Sequence, residues 1–119
     1  KLNPAPTRDI PVLIGGGGER KTLRLVARHA DIWHTFGDPD VIGHKSAVLA
    51  DWCASEGRDP AAIERSCGVP AGDPATVGPP LAEHGVRLFT VGVGGPSYDL
   101  ARLRDWVAWR DEQNTSAAT

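Results

Sequence analysis

The sequence predicts an α/β fold, in which helices cover a parallel β-sheet. Short apolar runs rich in β-branched residues alternate with segments of helical periodicity, and this alternation repeats about four times. The 14 glycines and 10 prolines among 119 residues fall mostly between these segments, as expected for short elements joined by tight loops. Strands that alternate with helices form parallel sheets, because each helix returns the chain to the same end of the sheet.

The chain length leaves two architectures open for this sheet. A complete (β/α)8 barrel takes about 250 residues, so a chain of 119 residues corresponds to about half of one. Four parallel strands would alternatively form a small open sheet, whose edge strands would carry unpaired backbone groups. In either case we expect residues 1–112 to form one domain and residues 113–119 to form a flexible tail.

The first two βα units have the clearer signals. Ile10–Ile14 is an apolar run that leads into glycines, and Asp31–Phe36 is a second run that also ends at a glycine. Apolar residues at helical spacing predict a helix over Glu19–His29. Asp38, followed by a proline, is a typical N-cap for a longer helix that ends near Glu56, just before another glycine.

The last two units have weaker signals. A short turn after Asp59 leads to a third strand, predicted over Ile63–Val69. The next helical segment should be broken, with regular helix restarting at Pro79, because prolines remove hydrogen bonds from a helix interior. Val86–Val91 predicts the fourth strand. Ser97 is a candidate cap for a last helix with Leu100, Leu103, Val107 and Arg110 on one side.

The strongest chemical signal is the run Gly15, Gly16, Gly17 and Gly18, between the first strand and the first helix. Glycine lets backbone amides approach a ligand without an intervening Cβ, and a helix N-terminus favours an anion. The following residues match neither the P-loop nor the dinucleotide-binding pattern, since Arg20 occupies a position where each requires glycine. The run therefore predicts a phosphate-binding loop, with a simple strand-to-helix turn as the alternative.

The segment from Pro11 to Trp33 resembles the glycine-loop segment of luciferase-like monooxygenases, most closely their coenzyme F420-dependent branch, which includes FMN users. Gly57–Ile63 and Gly85–Val91 are similar to later landmarks of that family, in the same order. The resemblance implies a TIM barrel of the bacterial-luciferase type, with this chain as its fifth to eighth βα units. It further implies a barrel completed by dimerisation or by an N-terminal half, and an oxidoreductase or monooxygenase that uses F420 or FMN.

The resemblance also implies which residues bind the cofactor. Backbone amides of the glycine loop would hold the phosphate, Ile14 would end the strand beneath it, and Trp33 would border the ring or the substrate. The cofactor-binding candidates are thus Ile14, Gly15, Gly16, Gly17, Gly18, Lys21, Thr22 and Trp33. Lys21 and Arg20 could instead form a solvated helix face.

His34 is the candidate catalytic residue, because an imidazole at the end of a strand can act as a general acid or donate to a substrate oxygen. A structural hydrogen bond is the alternative role for this side chain. The other histidines show no metal-ligand spacing, so we expect no metal site. A non-catalytic phosphate- or flavin-binding module and a structural fragment remain the alternatives to an enzyme.

The composition argues against several other classes of protein. The formal net charge is −2, which offers no basic surface for nucleic acid or anionic lipid. The longest apolar run is far shorter than the roughly 20 residues of a membrane span. Cys53 and Cys67 are expected to be reduced, partly buried thiols, which favours the cytoplasm. The expected partners are a small-molecule substrate and a second copy or a separate half-barrel.

Overall fold

The computed structural model describes residues 3–118 and contains one sheet of four parallel strands. The strands follow the chain order across the sheet, and each pairs with its sequence neighbour. They are β1 (Leu13–Gly15), β2 (Ile32–Phe36), β3 (Glu64–Gly68) and β4 (Val86–Thr90).

The strands alternate with helices, as the sequence predicts. The helices are α1 (Thr22–His29), α2 (Pro39–Glu56), α3 (Pro74–Glu83) and α4 (Ala101–Ala117), and a single 3₁₀ turn (Pro60–Ala62) precedes β3. The Asp38 carboxylate accepts a hydrogen bond from Val41 N at 2.9 Å, and Gly57 ends α2 in the left-handed conformation. Both ends of α2 are therefore as predicted.

The hydrophobic core lies between the sheet and its helices. Ile14 and Trp33 pack against α1 and α2 in one cluster, and Cys67 and Phe89 pack with residues of α2 and α3 in a second cluster. Residues in register across a parallel sheet share a face, so these four side chains define one covered face. Sequential strand order with helices on one face is the arrangement found in part of a (β/α)8 barrel.

The opposite face of the sheet, which we call the open face, has no helix over it among residues 3–118. Leu13, Phe36 and Leu88 on this face are 52%, 71% and 39% exposed. His34 and Ser66 lie among these apolar side chains, in register with each other. The open face is therefore mainly apolar, with a polar pair near its centre.

The first strand and helix begin later than predicted. β1 covers Leu13–Gly15 instead of Ile10–Ile14, because Pro11 has no N–H and Val12 N donates to the Asp31 carboxylate, at 2.7 Å. A turn over residues 19–21 separates the glycine loop from α1, which begins at Thr22 instead of Glu19.

The predicted break in α3 is wrong. Both Pro79 and Pro80 lie inside a continuous ten-residue helix. Gly78 precedes them, and because it has no Cβ it relieves the steric clash that a proline imposes on the residue before it. His84 N then donates to Pro80 O at 3.3 Å, so helical bonding resumes after the prolines.

The last helix differs from the prediction at both ends and in its packed face. Asp99, and not Ser97, accepts a hydrogen bond from the first helical amide, Ala101 N, at 2.9 Å. Trp106 is the buried residue of α4, and Trp109 is half-buried beside it, whereas Leu100, Val107 and Arg110 are exposed. The helix continues through Ala117, so residues 113–117 of the expected tail are helical.

Candidate functional site

The glycine loop follows β1 and crosses an exposed part of the surface. Gly15, Gly16 and Gly18 are exposed and Gly17 is half-buried. Gly16 has φ of +121°, a conformation that residues with a side chain rarely adopt, and its N–H donates to His34 O at 2.9 Å. The amides of Gly17 and Gly18 have no acceptor within residues 3–118. Two neighbouring donors are therefore available to a ligand.

Trp33 holds this loop from beneath. It is fully buried against α1 and α2, and its indole N–H donates to Gly16 O at 2.8 Å. A side chain on the covered face is not able to line a pocket on the open face. The expectation that Trp33 borders the ring or the substrate is therefore not met, and its role is to shape the loop. Ile14 faces the same core.

Lys45, on α2, also reaches the loop. Its ammonium donates to Gly17 O at 2.5 Å and lies 3.9 Å from a carboxylate oxygen of Glu19. A Cβ on Gly17 would lie 3.0 Å from Lys45 Nζ, so the absence of a side chain there makes room for the cation. The sequence placed Lys45 on a helix that packs against the sheet, and did not identify it as a site residue.

The start of α1 adds a hydroxyl but no clear cation. A Cβ on Gly18 would lie 2.9 Å from Thr22 Oγ1, so this hydroxyl is at the edge of the loop. Lys21 and Arg20 are exposed, and neither forms an ion pair within the described chain. Lys45 thus hydrogen-bonds to the loop and Thr22 Oγ1 lies at its edge, whereas the side chains of Lys21 and Arg20 make no hydrogen bond or ion pair within residues 3–118.

His34 lies in the middle of β2, level with Gly15, and not at the end of the strand as predicted. Its Nδ1 is 2.8 Å from Ser66 Oγ on β3. The Phe36 ring packs edge-on against the imidazole, with 5.0 Å between ring centroids, and lies over Gly68, where a Cβ would collide with it. Sequence reasoning missed Ser66, because only the strand register brings it to His34.

His44, His84 and the two cysteines make contacts within the protein and lie outside the candidate site. His44 is 3.0 Å from Glu19 Oε1, and the ring of His84 lies against Gly43. Cys53 and Cys67 are free, as predicted, but they are fully buried and not partly buried, and burial raises the pKa of both thiols. Between residues 3 and 118 there is no group of three or more His, Cys, Asp or Glu side chains able to hold a metal ion.

Cavities formed by residues between 3 and 118 lie away from the glycine loop, and two of them are described here. One, of about 630 Å³, is at the amino ends of the strands and is lined by Asp31, Arg65 and Arg87 among others. The second, of about 650 Å³, lies between β4 and α4 and is lined by Phe89, Trp106 and Trp109. The three rings of this groove pack together with centroids about 5.5 Å apart. Neither cavity includes the glycine loop, which lies on the surface.

The arrangement is suited to binding an anion beside an apolar surface. Two free amides, the Lys45 ammonium and the Thr22 hydroxyl converge on one loop, and charge-assisted hydrogen bonds are the stronger kind. His34, in register with Gly15, supplies the nearest titratable side chain on the open face. Phe36, Leu13 and Leu88 supply apolar contacts there.

Comparison with known proteins gives a family for this architecture. A family model described as luciferase-like monooxygenase matches residues 1–72, which include β1, β2, β3 and the glycine loop. No curated protein matches the chain. None of the helices in the part of the chain that the structure describes is long and apolar enough to cross a membrane.

Proposed function

The chain belongs to the luciferase-like monooxygenase family, and we propose that it provides the cofactor-phosphate-binding part of an F420- or FMN-dependent oxidoreductase. The observation that carries this proposal is the glycine loop, with free amides at Gly17 and Gly18 and the Lys45 ammonium beside them. A phosphate needs several donors and a compensating positive charge, and these groups supply both.

The residues present fit such a group. The loop is exposed, so a phosphate has access to the two amides, and glycines leave no Cβ between the backbone and the ligand. Lys45 would exchange part of its contact with Glu19 and Gly17 O for a phosphate oxygen, and the Thr22 hydroxyl, at the edge of the loop, would donate a further hydrogen bond. We therefore assign the phosphate to Gly17, Gly18, Thr22 and Lys45.

The bound cofactor would supply the electron chemistry, which is hydride transfer for F420 and oxygen insertion for reduced FMN. The protein's own part is to orient the ring, exclude water and donate a hydrogen bond. His34 is the side chain we propose for that donation. The substrate is a small molecule that enters from the open face, and the buried free thiols support a reducing compartment such as the cytoplasm.

We propose further that a second copy of the chain covers the open face. β1 and β4 are the two sheet edges and run parallel, so a rotation about an axis along the strands would place β4 of one copy beside β1 of the other. The exposed apolar side chains Leu13, Phe36 and Leu88 on the open face support this arrangement. A covering chain would bury them and would enclose His34.

Titration with FMN and with F420 tests the cofactor assignment. We expect binding by the wild-type chain, and loss of binding in Gly16→Val, because valine is strained at φ of +121°. Since that variant also strains the loop, Gly18→Ala is the milder test: its Cβ would come within 2.9 Å of Thr22 Oγ1. Gly92→Ala is the matched control, as a Cβ there has nothing within 4 Å.

The cationic contribution is tested separately with Lys45→Met. Loss of a hydrogen bond to a charged group should weaken binding about tenfold, and the remaining affinity should depend less on salt. Arg104→Met, at an exposed position on α4, should leave the affinity unchanged. The cofactor assignment is wrong if neither FMN nor F420 binds to the wild-type chain, whether the chain is alone or associated with its partner.

A non-catalytic binding module is the second candidate function. The loop lies outside the two cavities described above, and three of its four glycines are exposed within residues 3–118, so water reaches a group bound there unless another chain covers it. This function is favoured if the cofactor raises the thermal stability of the protein but supports no redox turnover. The result must hold for the associated protein as well as for the dilute protein. Turnover that appears with association would favour the enzyme.

A further inference from the structure

A buried hydroxyl lies beside the only imidazole on the open face of the described sheet. Ser66 is 2% exposed, and its Oγ is 2.8 Å from Nδ1 of the half-buried His34. The two residues are register partners on β2 and β3, so the backbone ladder fixes their separation. The contact therefore comes from the sheet itself and not from flexible loops.

The hydrogen-bonding capacity of the two groups determines where the protons lie. If Nδ1 carried a proton and donated it to Ser66, the serine's own proton would need another acceptor, and His34 is its only partner within residues 3–118. A buried donor without an acceptor is unfavourable. If Ser66 donates to Nδ1, its proton is satisfied, and the ring proton of neutral His34 must lie on Nε2.

The Nε2 atom is available to a ligand. It has no hydrogen-bond partner in the described chain, and it is not among the buried side-chain atoms that lack one, so solvent reaches it. Phe36 packs edge-on against the ring at 5.0 Å, which limits rotation of the imidazole. In addition, His34 is in register with Gly15, where the glycine loop begins.

We propose that Ser66 is a positioning residue that holds His34 in its Nε2–H tautomer, so that His34 donates a hydrogen bond to an oxygen atom of the ligand on the open face. A carbonyl oxygen of a ring or a substrate is the acceptor class that this donor fits. The identity of the ligand rests on the proposed function, whereas the tautomer of His34 does not.

The tautomer is tested without any cofactor, by nitrogen-15 NMR of the histidine side chains of the full chain. The spectra are recorded at about pH 8, well above the ordinary histidine pKa of about 6.5. We expect Nδ1 of His34 to have the shift of an unprotonated nitrogen and Nε2 that of a protonated one. A protonated Nδ1 in the neutral wild-type ring would overturn the proposal.

Three serine variants separate positioning from a structural role. Ser66→Ala should move the His34 nitrogen shifts toward a tautomer mixture, and Ser66→Thr, which restores a hydroxyl, should return them to the wild-type values. Ser55→Ala is the matched control, because it makes the same change on an exposed turn of α2. Unchanged His34 shifts in a folded Ser66→Ala variant would contradict the proposal.

Cofactor titration of the same variants tests the consequence for ligands. Ser66→Ala should weaken binding roughly three- to tenfold, the effect of one misdirected hydrogen bond, and Ser66→Thr should recover it. If no variant, including the wild type, binds FMN or F420, the proposed function fails while the tautomer result stands. If binding is strong and identical in Ser66→Ala, the donor role fails while the proposed function stands.

Discussion

Trp33 connects the core to the glycine loop through one side chain. Its ring is fully buried against α1 and α2, and its N–H reaches Gly16 O at 2.8 Å. The buried ring stabilises the fold, and the hydrogen bond fixes the loop at its left-handed glycine. The sequence analysis placed both Trp33 and His34 beside the ring or substrate, but neighbouring residues of a strand point to opposite faces, and Trp33 lies on the covered face.

The variant Trp33→Phe should separate these two contributions. Phenylalanine keeps an aromatic ring but loses the N–H and leaves a small cavity, so we expect a loss of about 1–3 kcal/mol in the free energy of unfolding. Cofactor affinity should fall as well, because the loop loses its anchor. Urea unfolding measures the first effect and titration the second.

Trp52→Phe is the control for this change. Trp52 also donates to a backbone oxygen, Glu19 O, at 2.8 Å, but from a half-buried position on α2. Its replacement should cost less than about 1 kcal/mol. Equal losses for the two variants would show that burial beneath the loop has no special role.

The buried thiols predict how stability depends on pH. Burial raises the pKa of Cys53, an effect that Arg58 and Arg65 partly offset, and burial also raises the pKa of Cys67. The unfolded chain therefore releases these protons at a lower pH than the folded chain. The free energy of unfolding should be independent of the thiols below about pH 8.5 and should fall as the pH rises above it.

Urea unfolding between pH 7 and 10 measures this dependence. The variant with both Cys53→Ala and Cys67→Ala should lose less stability across that range than the wild type, whatever its stability at pH 7. The native wild-type thiols should also react slowly with a thiol reagent, because both are buried. Parallel pH curves for the two proteins would contradict the assignment.

At the scale of elements, α3 shows how packing overrides local propensity. Two consecutive prolines predict a break, yet α3 is continuous, and Gly78 has no Cβ to clash with the ring of Pro79. The Trp109 ring lies so close that a Cβ on Gly78 would be 2.5 Å from its Cζ2 atom. The contact between α3 and α4 therefore depends on that glycine, and no local pattern in the sequence reveals it.

For the variant Gly78→Ala, two effects predict opposite changes in the free energy of unfolding. Helix propensity alone would make alanine stabilising by about 1 kcal/mol, whereas the clash with Trp109 should make it destabilising by about 1–3 kcal/mol. Thermal unfolding decides between the two. Adding Trp109→Leu should recover part of the loss, and Gly92→Ala should have little effect since its surroundings are empty.

Much of the element order could be predicted from the sequence, because glycines, prolines and apolar periodicity are local signals. The boundaries of α2 followed from its cap and its terminal glycine. The residues that contact the candidate site residues could not be predicted from local signals. Lys45 reaches Gly17 across 28 residues, and Ser66 reaches His34 across 32, so both contacts depend on how helices and strands pack.

At the scale of the whole molecule, one sheet face and both sheet edges lack a covering element within residues 3–118. Apolar side chains such as Phe36, at 71% exposure, are common at interaction surfaces when they are clustered. Family membership and strand order both fit part of a barrel. The exposed surface is where we expect the molecule to associate.

We therefore predict that the chain is at least dimeric at micromolar concentration. Light scattering measures the mass, and a monodisperse 12.6 kDa species would contradict the prediction. Phe36→Ser and Leu88→Ser, on the open face, should weaken association, whereas Leu25→Ser, at an exposed position on α1, should not. If the chain stays monomeric until a separate N-terminal half is added, then that half, and not a second copy, covers the open face.

The length of α2 has a consequence for unfolding. Its amino-terminal part places Ile42 in one hydrophobic cluster, and its carboxy-terminal part places Leu49 and Cys53 in the other. Because α2 is one continuous helix that contributes to both clusters, unfolding either cluster alone is energetically unfavourable. Backbone amides of α1 and α3 should then exchange with deuterium through the same global opening, and the molecule should behave as one cooperative unit.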